Sequence, residues 1–378
     1  MRQDLIIRNG SVFDPIERTF TKRDVYVHAG KICREEEIQA PVIEFDADGY
    51  YVSAGWIDYH AHVFPHTTEI GIDTDSNFFP QGVCTAVDAG SSGVATARSF
   101  IENIVYRSEM RIYGLLNVCP TGMGTMKFHE DLDPKYWDEE GIQAMLTSYP
   151  AIWKGLKMRS SKGIAKELGS RPFYAMLKLA ERLGVPVTVH TTDSPITLDE
   201  AASALRPGDT LAHCYHGTGN TILNEKGEVY PEVRDAQKRG VIIDAANGSN
   251  HWSFEVAQAG IEQGFLPDII STDITVKTLY KDPVFSLPYV LSKYLLLGMK
   301  LEDILAACTY TPAKALGLAD MLGRLEPGYE GDITVFKVKE KTIVFGDTQK
   351  RKRTGSQAIV PQMTVCRGSV VYKSIEAI

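Results

Sequence analysis

The feature of this sequence that most constrains its fold is a series of strand-like apolar runs that each end in a residue able to bind a metal ion. The residues at these ends are, in chain order, His60 and His62, Lys157, His190, His213 and Asp273. Because residues two apart in an extended strand point to the same side, His60 and His62 can reach one ion. The C-terminal ends of the strands in a parallel barrel meet on one face. The pattern therefore predicts a barrel with a metal site at that face.

Eight apolar runs of this kind can be placed along the chain, and amphipathic helical stretches separate them. The runs cover residues 55–62, 82–88, 112–118, 152–158, 185–190, 210–213, 240–244 and 268–273. One of the helices is predicted over residues 173–183, with Gly184 as its C-terminal stop. Eight alternations of strand and helix predict an α/β fold, a (β/α)8 TIM-like barrel.

Both ends of the chain have β character and flank the barrel. Residues 1–55 alternate in short β-type runs separated by turns, and residues 325–378 return to strand character after the last predicted helix. We therefore expect residues 1–55 and 325–378 to form the two parts of one small discontinuous β-sandwich domain, with the barrel at residues 56–324. A chain of 378 residues with 44% apolar content suits one barrel with such an appendage.

Composition excludes several classes of partner. The formal charge of −8 and the pI of about 5.7 argue against nucleic acid, and the basic run at residues 350–353 is interpreted as a solvated loop. No apolar run is long enough to span a membrane. The six scattered cysteines form no C-x-x-C pair and no leader precedes the first strand, which predicts a reduced, cytoplasmic protein. The expected partner is a small-molecule substrate, and a homo-oligomer is compatible with the sequence.

Several short strings along the chain carry a resemblance to a known family. They are GWIDYHAH at 55–62, GLK at 155–157, VH at 189–190, AH at 212–213, STD at 271–273, TPA at 311–313 and GDI at 331–333. In this combination the sequence resembles the amidohydrolase superfamily over nearly its whole length, and specifically the dinuclear-zinc deacetylase and dihydroorotase-like branch. The resemblance implies two Zn²⁺ ions bridged by a carboxylated lysine. It implies these ligands: His60, His62 and Asp273 for one ion, His190 and His213 for the other, and carboxylated Lys157 for both.

The chemistry gives the lysine and the aspartate separate roles. A lysine ammonium has no lone pair for a metal, whereas a carbamate offers two oxygens. Lys154 and Lys157 lie three residues apart and face opposite sides of their strand, and the spacing to His190 favours Lys157. Asp273 is expected to act as general base and acid, taking a proton from a zinc-activated bridging hydroxide and passing it to the leaving group.

The leading functional hypothesis is hydrolysis of an amide or ester bond, by deacetylation, in a small carboxylate-bearing molecule. The alternative is cyclic amide hydrolysis of the hydantoinase or dihydroorotase type, although Phe64 stands where dihydroorotases carry an arginine. Residues 245–249 also depart from the deacetylase pattern, in which a histidine is expected beside the glycine. A catalytically inactive barrel with a structural role is the remote alternative, and the six filled ligand positions argue against it.

The candidate for substrate binding is Arg159, which follows Lys157 by two residues and so faces the same side of the strand. A guanidinium can grip a carboxylate through two hydrogen bonds, so Arg159 is predicted to hold the substrate carboxylate. The competing interpretation places Arg159 in a salt bridge at the barrel rim. In that case the carboxylate partner is sought at Tyr215, His251 and Lys277. Among the remaining histidines, His216 and His251 are expected to line the pocket.

Overall fold

A computed structural model describes residues 3–377 of the chain. The strands are β1 (Asp4–Asp14), β2 (Thr19–His28), β3 (Lys31–Cys33), β4 (Val42–Asp46), β5 (Tyr51–Ala54), β6 (Trp56–Ala61), β7 (Val83–Gly93), β8 (Arg111–Asn117), β9 (Trp153–Arg159), β10 (Val187–His190), β11 (Thr210–Ala212), β12 (Ile242–Asp244), β13 (Ile333–Gly346), β14 (Lys352–Cys366) and β15 (Ser369–Lys373). The α-helices are α1 (Asp75–Phe78), α2 (Val94–Phe100), α3 (Glu139–Ser148), α4 (Lys162–Ala165), α5 (Arg171–Leu183), α6 (Leu198–Ala204), α7 (Pro231–Arg239), α8 (Phe254–Glu262), α9 (Leu287–Leu296), α10 (Leu301–Cys308) and α11 (Tyr310–Ala315).

The barrel is built from β6 to β12, which pair in chain order and in parallel. The eighth predicted run closes the ring, because Ile269 bridges Asp244 of β12 and Ile274 bridges Ala61 of β6. The predicted (β/α)8 barrel is therefore confirmed. Since parallel strands share one direction, their C-terminal ends all open on the same face.

The eighth run differs from the predicted strand because it makes isolated bridges and no continuous ladder. One interruption of the pairing lies at Thr272, which bonds a side chain of the neighbouring strand. Its backbone N–H donates to Asp58 Oδ1 at 3.0 Å, and its hydroxyl donates to Asp58 Oδ2 at 2.6 Å. A backbone donor used in this way cannot also form a ladder hydrogen bond. The run is thus anchored to β6 by a buried carboxylate.

The two chain ends form a separate mixed sheet, as the β-rich termini predicted. Its strand order is β15-β14-β13-β5-β1-β2-β3, and β4 pairs with β1. The first half of β1 pairs with β4 and its second half with β5, so the sheet branches at this strand. Its buried face includes Leu5, Val27, Val52, Val335 and Val365, which pack into a core of their own. Strands from both termini thereby build one sheet beside the barrel.

The helix over Arg171–Leu183 illustrates how the outer layer is attached to the barrel. Its apolar side chains Phe173, Met176 and Leu179 recur at helical spacing and are buried, each contributing about 1.5–3 kcal/mol. The helix ends at Gly184, whose φ of 66° lies in the left-handed region that favours glycine. The prediction for residues 173–183 is thus right, with the helix starting two residues earlier, at Arg171.

The basic run at residues 350–353 is exposed at Lys350, Arg351 and Lys352, as the solvated interpretation predicted, but only its first two residues lie in the turn. Lys352 and Arg353 begin β14, and Arg351 forms an ion pair with Glu255 of α8 at 2.7 Å. In the turn before it, the Gln349 side-chain amide donates to the Gly217 carbonyl at 3.0 Å. The tip of the β13–β14 hairpin therefore rests on loops at the open end of the barrel. Within residues 3–377, no helix is long and apolar enough to cross a membrane.

Candidate metal centre

The predicted ligands converge on one buried spot at the C-terminal face of the barrel. Lys157 Nζ lies 3.1 Å from His60 Nε2, and Asp273 Oδ1 lies 3.1 Å from His62 Nε2. The ring centroids of His190 and His213 are 4.5 Å apart, and those of His60 and His213 are 5.0 Å apart. All six side chains are buried. The strands that the sequence predicted as carriers of these residues therefore bring them together.

Lys157 is the lysine of β9 that points inward. Its partner in the sequence argument, Lys154, lies outside with its amine over the Tyr113 ring, 5.0 Å from the centroid. Gly90, at a φ of 86°, makes room for the inward lysine, because a Cβ at this position would stand 2.5 Å from Lys157 Cγ. The strand register thus separates the two lysines as their three-residue spacing predicted.

Each of three histidines is oriented by a partner on its outer nitrogen. His60 Nδ1 lies 3.3 Å from Asp244 Oδ2, and His62 Nδ1 lies 2.8 Å from Ser91 Oγ. His213 Nδ1 lies 2.7 Å from the Ala246 carbonyl oxygen. Such outer partners fix the ring and leave Nε2 facing the centre, which is how metal-binding histidines are usually held. Sequence reasoning missed Asp244 and Ser91, although Asp244 is the polar end of the seventh apolar run.

Burial shifts the pKa values of the histidines and of Lys157 in the direction that favours metal binding. It lowers the pKa of His60, His190 and His213 well below the ordinary histidine value, so these rings are neutral and keep a free lone pair. Burial also lowers the pKa of Lys157 to about 8, against the opposing effect of Asp273. The Asp244 carboxyl has a pKa raised to about 7 by burial, and a positive charge in the centre would restore its carboxylate form.

The donor atoms form two groups that suit divalent cations. The ligand atoms of His60, His62 and Asp273 lie within 4.8 Å of one another. The same holds for the ligand atoms of His190, His213 and His251. Neutral imidazole nitrogen and carboxylate oxygen are both ligands of zinc and related ions. The residues present therefore fit a centre with two cations.

Two of the predicted ligands have strained backbone conformations. His213 has a φ of 65° and Asp273 a φ of 50°, both in the left-handed region that non-glycine residues rarely adopt. Strain of this kind persists where the surrounding structure over-determines it, and it clusters at functional sites. The two positions mark the points where the chain leaves the barrel and turns its side chain into the cavity.

A cavity of about 380 Å³ opens from the centre to solvent. Besides the ligands, its lining includes Arg159, His251 and the exposed Lys277. Tyr215 is not part of it, which corrects the prediction for this residue. The Tyr215 ring is fully buried, and its hydroxyl donates to the Phe265 carbonyl at 2.6 Å. His216 is likewise buried and absent from the cavity lining, contrary to expectation.

Arg159 lines the cavity but already has a carboxylate partner. Its Nη2 donates to Glu130 Oε2 at 2.5 Å and lies 3.3 Å from His129 Nδ1. The Glu130 side chain is only 1% exposed, so this is a largely desolvated ion pair. Among residues 3–377, Arg159 Nη1 meets only the weak acceptor Met126 Sδ, at 3.7 Å. The salt bridge that competed with substrate binding in the sequence argument is thus present, and Glu130 carried no sequence signal that pointed to it.

A third group of metal-type donors lies at the opposite end of the barrel, where Cys84, Asp332 and Cys366 approach within 4.8 Å. Here the carboxylate is already occupied. Asp332 Oδ2 pairs with the Arg111 guanidinium, and Asp332 Oδ1 accepts the Arg367 backbone N–H at 2.6 Å. A buried cation therefore takes the place that a metal would need, and this group joins the barrel to the terminal sheet.

Comparisons with known proteins agree with this geometry. The chain is 34% identical over 323 residues to a protein named as a deacetylase from Agrobacterium fabrum, covering 84% of this chain and 79% of that protein. It is 26% identical over 374 residues to one named as a deacetylase from Enterococcus faecalis, covering 98% and 99%. Among solved structures, a dihydroorotase superposes with a TM-score of 0.90 at 30% identity, covering 99% of this chain and 98% of that one.

The family itself is identified by a match over most of the chain. Residues 51–371 match the model described as the amidohydrolase family. This span contains the whole barrel and all six converging side chains, together with strands of the terminal sheet. The chain belongs to the amidohydrolase family and is a hydrolase.

Proposed function

We propose that this hydrolase uses two zinc ions to remove an acetyl group from an amide or ester of a small carboxylate-bearing molecule. The observation that carries the proposal is the convergence of two groups of donor atoms and the buried Lys157 amine on one cavity at the open end of the barrel. The two relatives named as deacetylases, which align over most of the chain, support the acetyl part.

Each predicted ligand has a place in this centre. The residues that would hold the cations are His60, His62 and Asp273 for one, His190 and His213 for the other, and Lys157, as a carbamate, for both. When bound, two such cations polarise the scissile carbonyl and make a water nucleophile available at neutral pH. The protein contributes the rigid strand ends that hold the donors at a fixed separation.

The Lys157 carbamate forms from the amine and carbon dioxide. The amine nitrogen bonds to the carbon of CO₂ and loses one proton, which leaves an anionic group with two oxygens. Burial that favours the neutral amine supports this modification, and so does the space that Gly90 leaves beside the side chain. An unmodified ammonium would instead repel both cations.

Asp273 is the general base and acid of the proposal. Its carboxylate faces the cavity, and the side chain is 10% exposed, so it can reach both a water molecule and a bound substrate. It accepts a proton from the attacking water and returns it to the leaving amine or alkoxide. The left-handed backbone at Asp273 supports this role, because it turns the carboxylate away from the strand and toward the open side.

Two positively charged side chains, Arg159 and Lys277, line the cavity and can contact the carboxylate of the substrate. Glu130 anchors Arg159, and the Nη1 edge of the guanidinium stays available because its partner there, within the described part of the chain, is only a thioether. Lys277 is exposed and lines the same cavity. We therefore propose that Arg159 contributes the oriented contact and Lys277 a weaker, solvent-screened attraction.

A hydrolysis screen tests the proposal directly. The zinc-loaded enzyme is offered N-acetyl amino acids, O-acetyl hydroxy acids, hydantoins and dihydropyrimidines, and acetate release or ring opening is measured. Acetate release from one of the first two classes is the expected result. Activity restricted to the cyclic substrates would replace deacetylation, and a purified chain that binds no metal and turns over nothing would support the inactive barrel.

Cyclic amide hydrolysis is the second candidate, because the solved dihydroorotase superposes over almost the whole chain. Phe64 argues against the dihydroorotase variety. It is 1% exposed and packs in the barrel core against Phe100, away from the cavity lining. Position 64 therefore supplies no guanidinium to the cavity. A hydantoin remains a substrate to be included in the screen.

A further inference from the structure

We infer that His251 is a third imidazole ligand of the cation held by His190 and His213. The inference rests on the dinuclear centre proposed above and adds one residue to it. His251 lies in the loop between β12 and α8, at no strand end, so the periodicity that identifies the other ligands does not find it.

The position of the His251 ring matches that of a ligand. Its centroid lies 4.3 Å from the His213 ring and 4.7 Å from the His190 ring. The ligand atoms of the three histidines lie within 4.8 Å of one another, which a single ion can span at zinc–nitrogen distances of about 2.0–2.1 Å. His251 Nε2 also stands 3.7 Å from Asp273 Oδ2, so it faces the common centre.

The orientation of the ring follows the pattern of the other ligands. His251 Nδ1 lies 3.0 Å from Thr192 Oγ1, in the loop after β10. His60, His62 and His213 are engaged on Nδ1 in the same way. A histidine held at Nδ1 presents Nε2 inward, and such outer partners tune the affinity of the metal site.

The backbone beside the ring is shaped to let it approach. Gly248 has a φ of 56°, and a Cβ there would stand 2.5 Å from His251 Cδ2 and 2.3 Å from Asp273 Oδ2. The missing side chain therefore creates the shared space into which the imidazole and the carboxylate extend. The loop is built to bring His251 into the centre.

The assignment makes the two halves of the centre unequal. One cation would have two imidazoles and the Asp273 carboxylate, whereas the other would have three neutral imidazoles, apart from the shared Lys157 carbamate. With the shared carbamate, this cation would have four protein donors and the water nucleophile would be its fifth ligand, a coordination number that catalytic zinc sites can reach. Loss of His251 should therefore affect the second cation selectively.

The test measures how many metal ions bind and how tightly each is held. Wild-type protein and the variants His251→Ala and Asn250→Ala are loaded with zinc, dialysed against a chelator of fixed strength and measured by mass spectrometry. Asn250 is the matched control, because it is the exposed neighbour that lines the same cavity. We expect two ions per chain in the wild type and in Asn250→Ala. In His251→Ala, one ion should bind at least about 10-fold more weakly.

A cobalt-substituted sample gives a readout that does not depend on activity. Loss of one imidazole should change the visible absorption of the weaker site in His251→Ala, and Asn250→Ala should keep the wild-type spectrum. Thr192→Val keeps the imidazole but frees its ring, and it should weaken the same ion by a smaller factor. This variant provides the test if His251→Ala does not fold.

The outcomes separate the inference from the proposed function. Two ions of unchanged affinity in His251→Ala, with an unchanged cobalt spectrum, would overturn the ligand role and make His251 a substrate contact. Unchanged affinity in Thr192→Val would count against it in the same way. A wild-type protein that binds fewer than two ions would instead remove the dinuclear centre itself.

Discussion

Both ends of the barrel gather side chains of the kinds that bind metals, two groups of three at the open end and one group of three at the opposite end, yet the ends are not equivalent. At the open end, histidine rings are held by outer partners on Nδ1 and turn Nε2 toward one another. At the opposite end, Asp332 already forms an ion pair with Arg111 and accepts a hydrogen bond from a backbone N–H. Proximity of donors is therefore insufficient for a metal site. What decides is which atoms the neighbouring residues leave available.

The largest effect should come from removing the proposed shared ligand, Lys157, at the open end. In Lys157→Ala we expect metal content to collapse and turnover to fall on the order of 10⁴-fold, because the proposed shared ligand of both cations is lost. Metal analysis and steady-state kinetics measure both effects. A short-chain carboxylic acid should restore part of the activity. Lys154→Ala is the control, since this lysine lies over Tyr113 outside the cavity. Full activity in Lys157→Ala with loss in Lys154→Ala would reverse the assignment.

Asp273→Asn separates ligation from proton transfer at the same end. The amide oxygen can still face a cation, but it cannot accept the proton of the attacking water. We expect most of the metal to remain while turnover falls by roughly 10²–10⁴-fold. Near wild-type turnover would restrict Asp273 to ligation.

The opposite end should respond in stability and leave the chemistry intact. Arg111→Met leaves Asp332 buried without its cation, and we expect unfolding free energy to drop by about 3–5 kcal/mol. Denaturant titration measures the loss. The exposed pair of Arg98 with Glu102 offers a control, because Arg98→Met should cost less than about 1 kcal/mol. If the folded Arg111→Met protein lost metal, the opposite end would not be purely structural and the prediction would be wrong.

The smallest effect concerns the cavity wall. Arg159→Lys keeps the charge but loses the planar fork. The rise in KM for acidic substrates, relative to neutral acetyl esters, should therefore correspond to about 2–3 kcal/mol of lost binding free energy. Lys277→Gln should have a weaker, salt-dependent effect, because this lysine is exposed. Equal losses on charged and neutral substrates would assign Arg159, with its partner Glu130, to structure alone.

Much of the centre could be read from the sequence because strand alternation is a local rule. The pair His60 and His62 and the strand-end positions of His190 and Asp273 follow from a period of two residues and a common strand direction. The same period shows that Lys154 and Lys157 face opposite sides, and the spacing to His190 favoured Lys157 as the inward one. The barrel is predictable for the same reason, because the eight apolar runs and the helices between them indicate its topology. These features depend on neighbours within one element.

The errors begin where the chain leaves a strand. Tyr215 and His216 follow His213, whose left-handed backbone ends the alternation, so their directions could not be extrapolated. Tyr215 instead donates to Phe265 in the layer behind the barrel. The histidine expected near Gly248 is absent, and Asn247 at that place accepts the Tyr294 hydroxyl. His251, four residues further, reaches the centre instead.

The sequence by itself determined the barrel, the terminal strands and the donors at the strand ends, because hydrophobic period and strand direction are properties of single segments. Only the tertiary structure decided which donors are available and which are already paired. Asp244 behind His60, Glu130 against Arg159 and Arg111 against Asp332 each join residues far apart in the chain. Such pairings arise from packing between elements, and no local pattern records them. The chemistry of both ends of the barrel is therefore set by contacts that form only when the chain has folded.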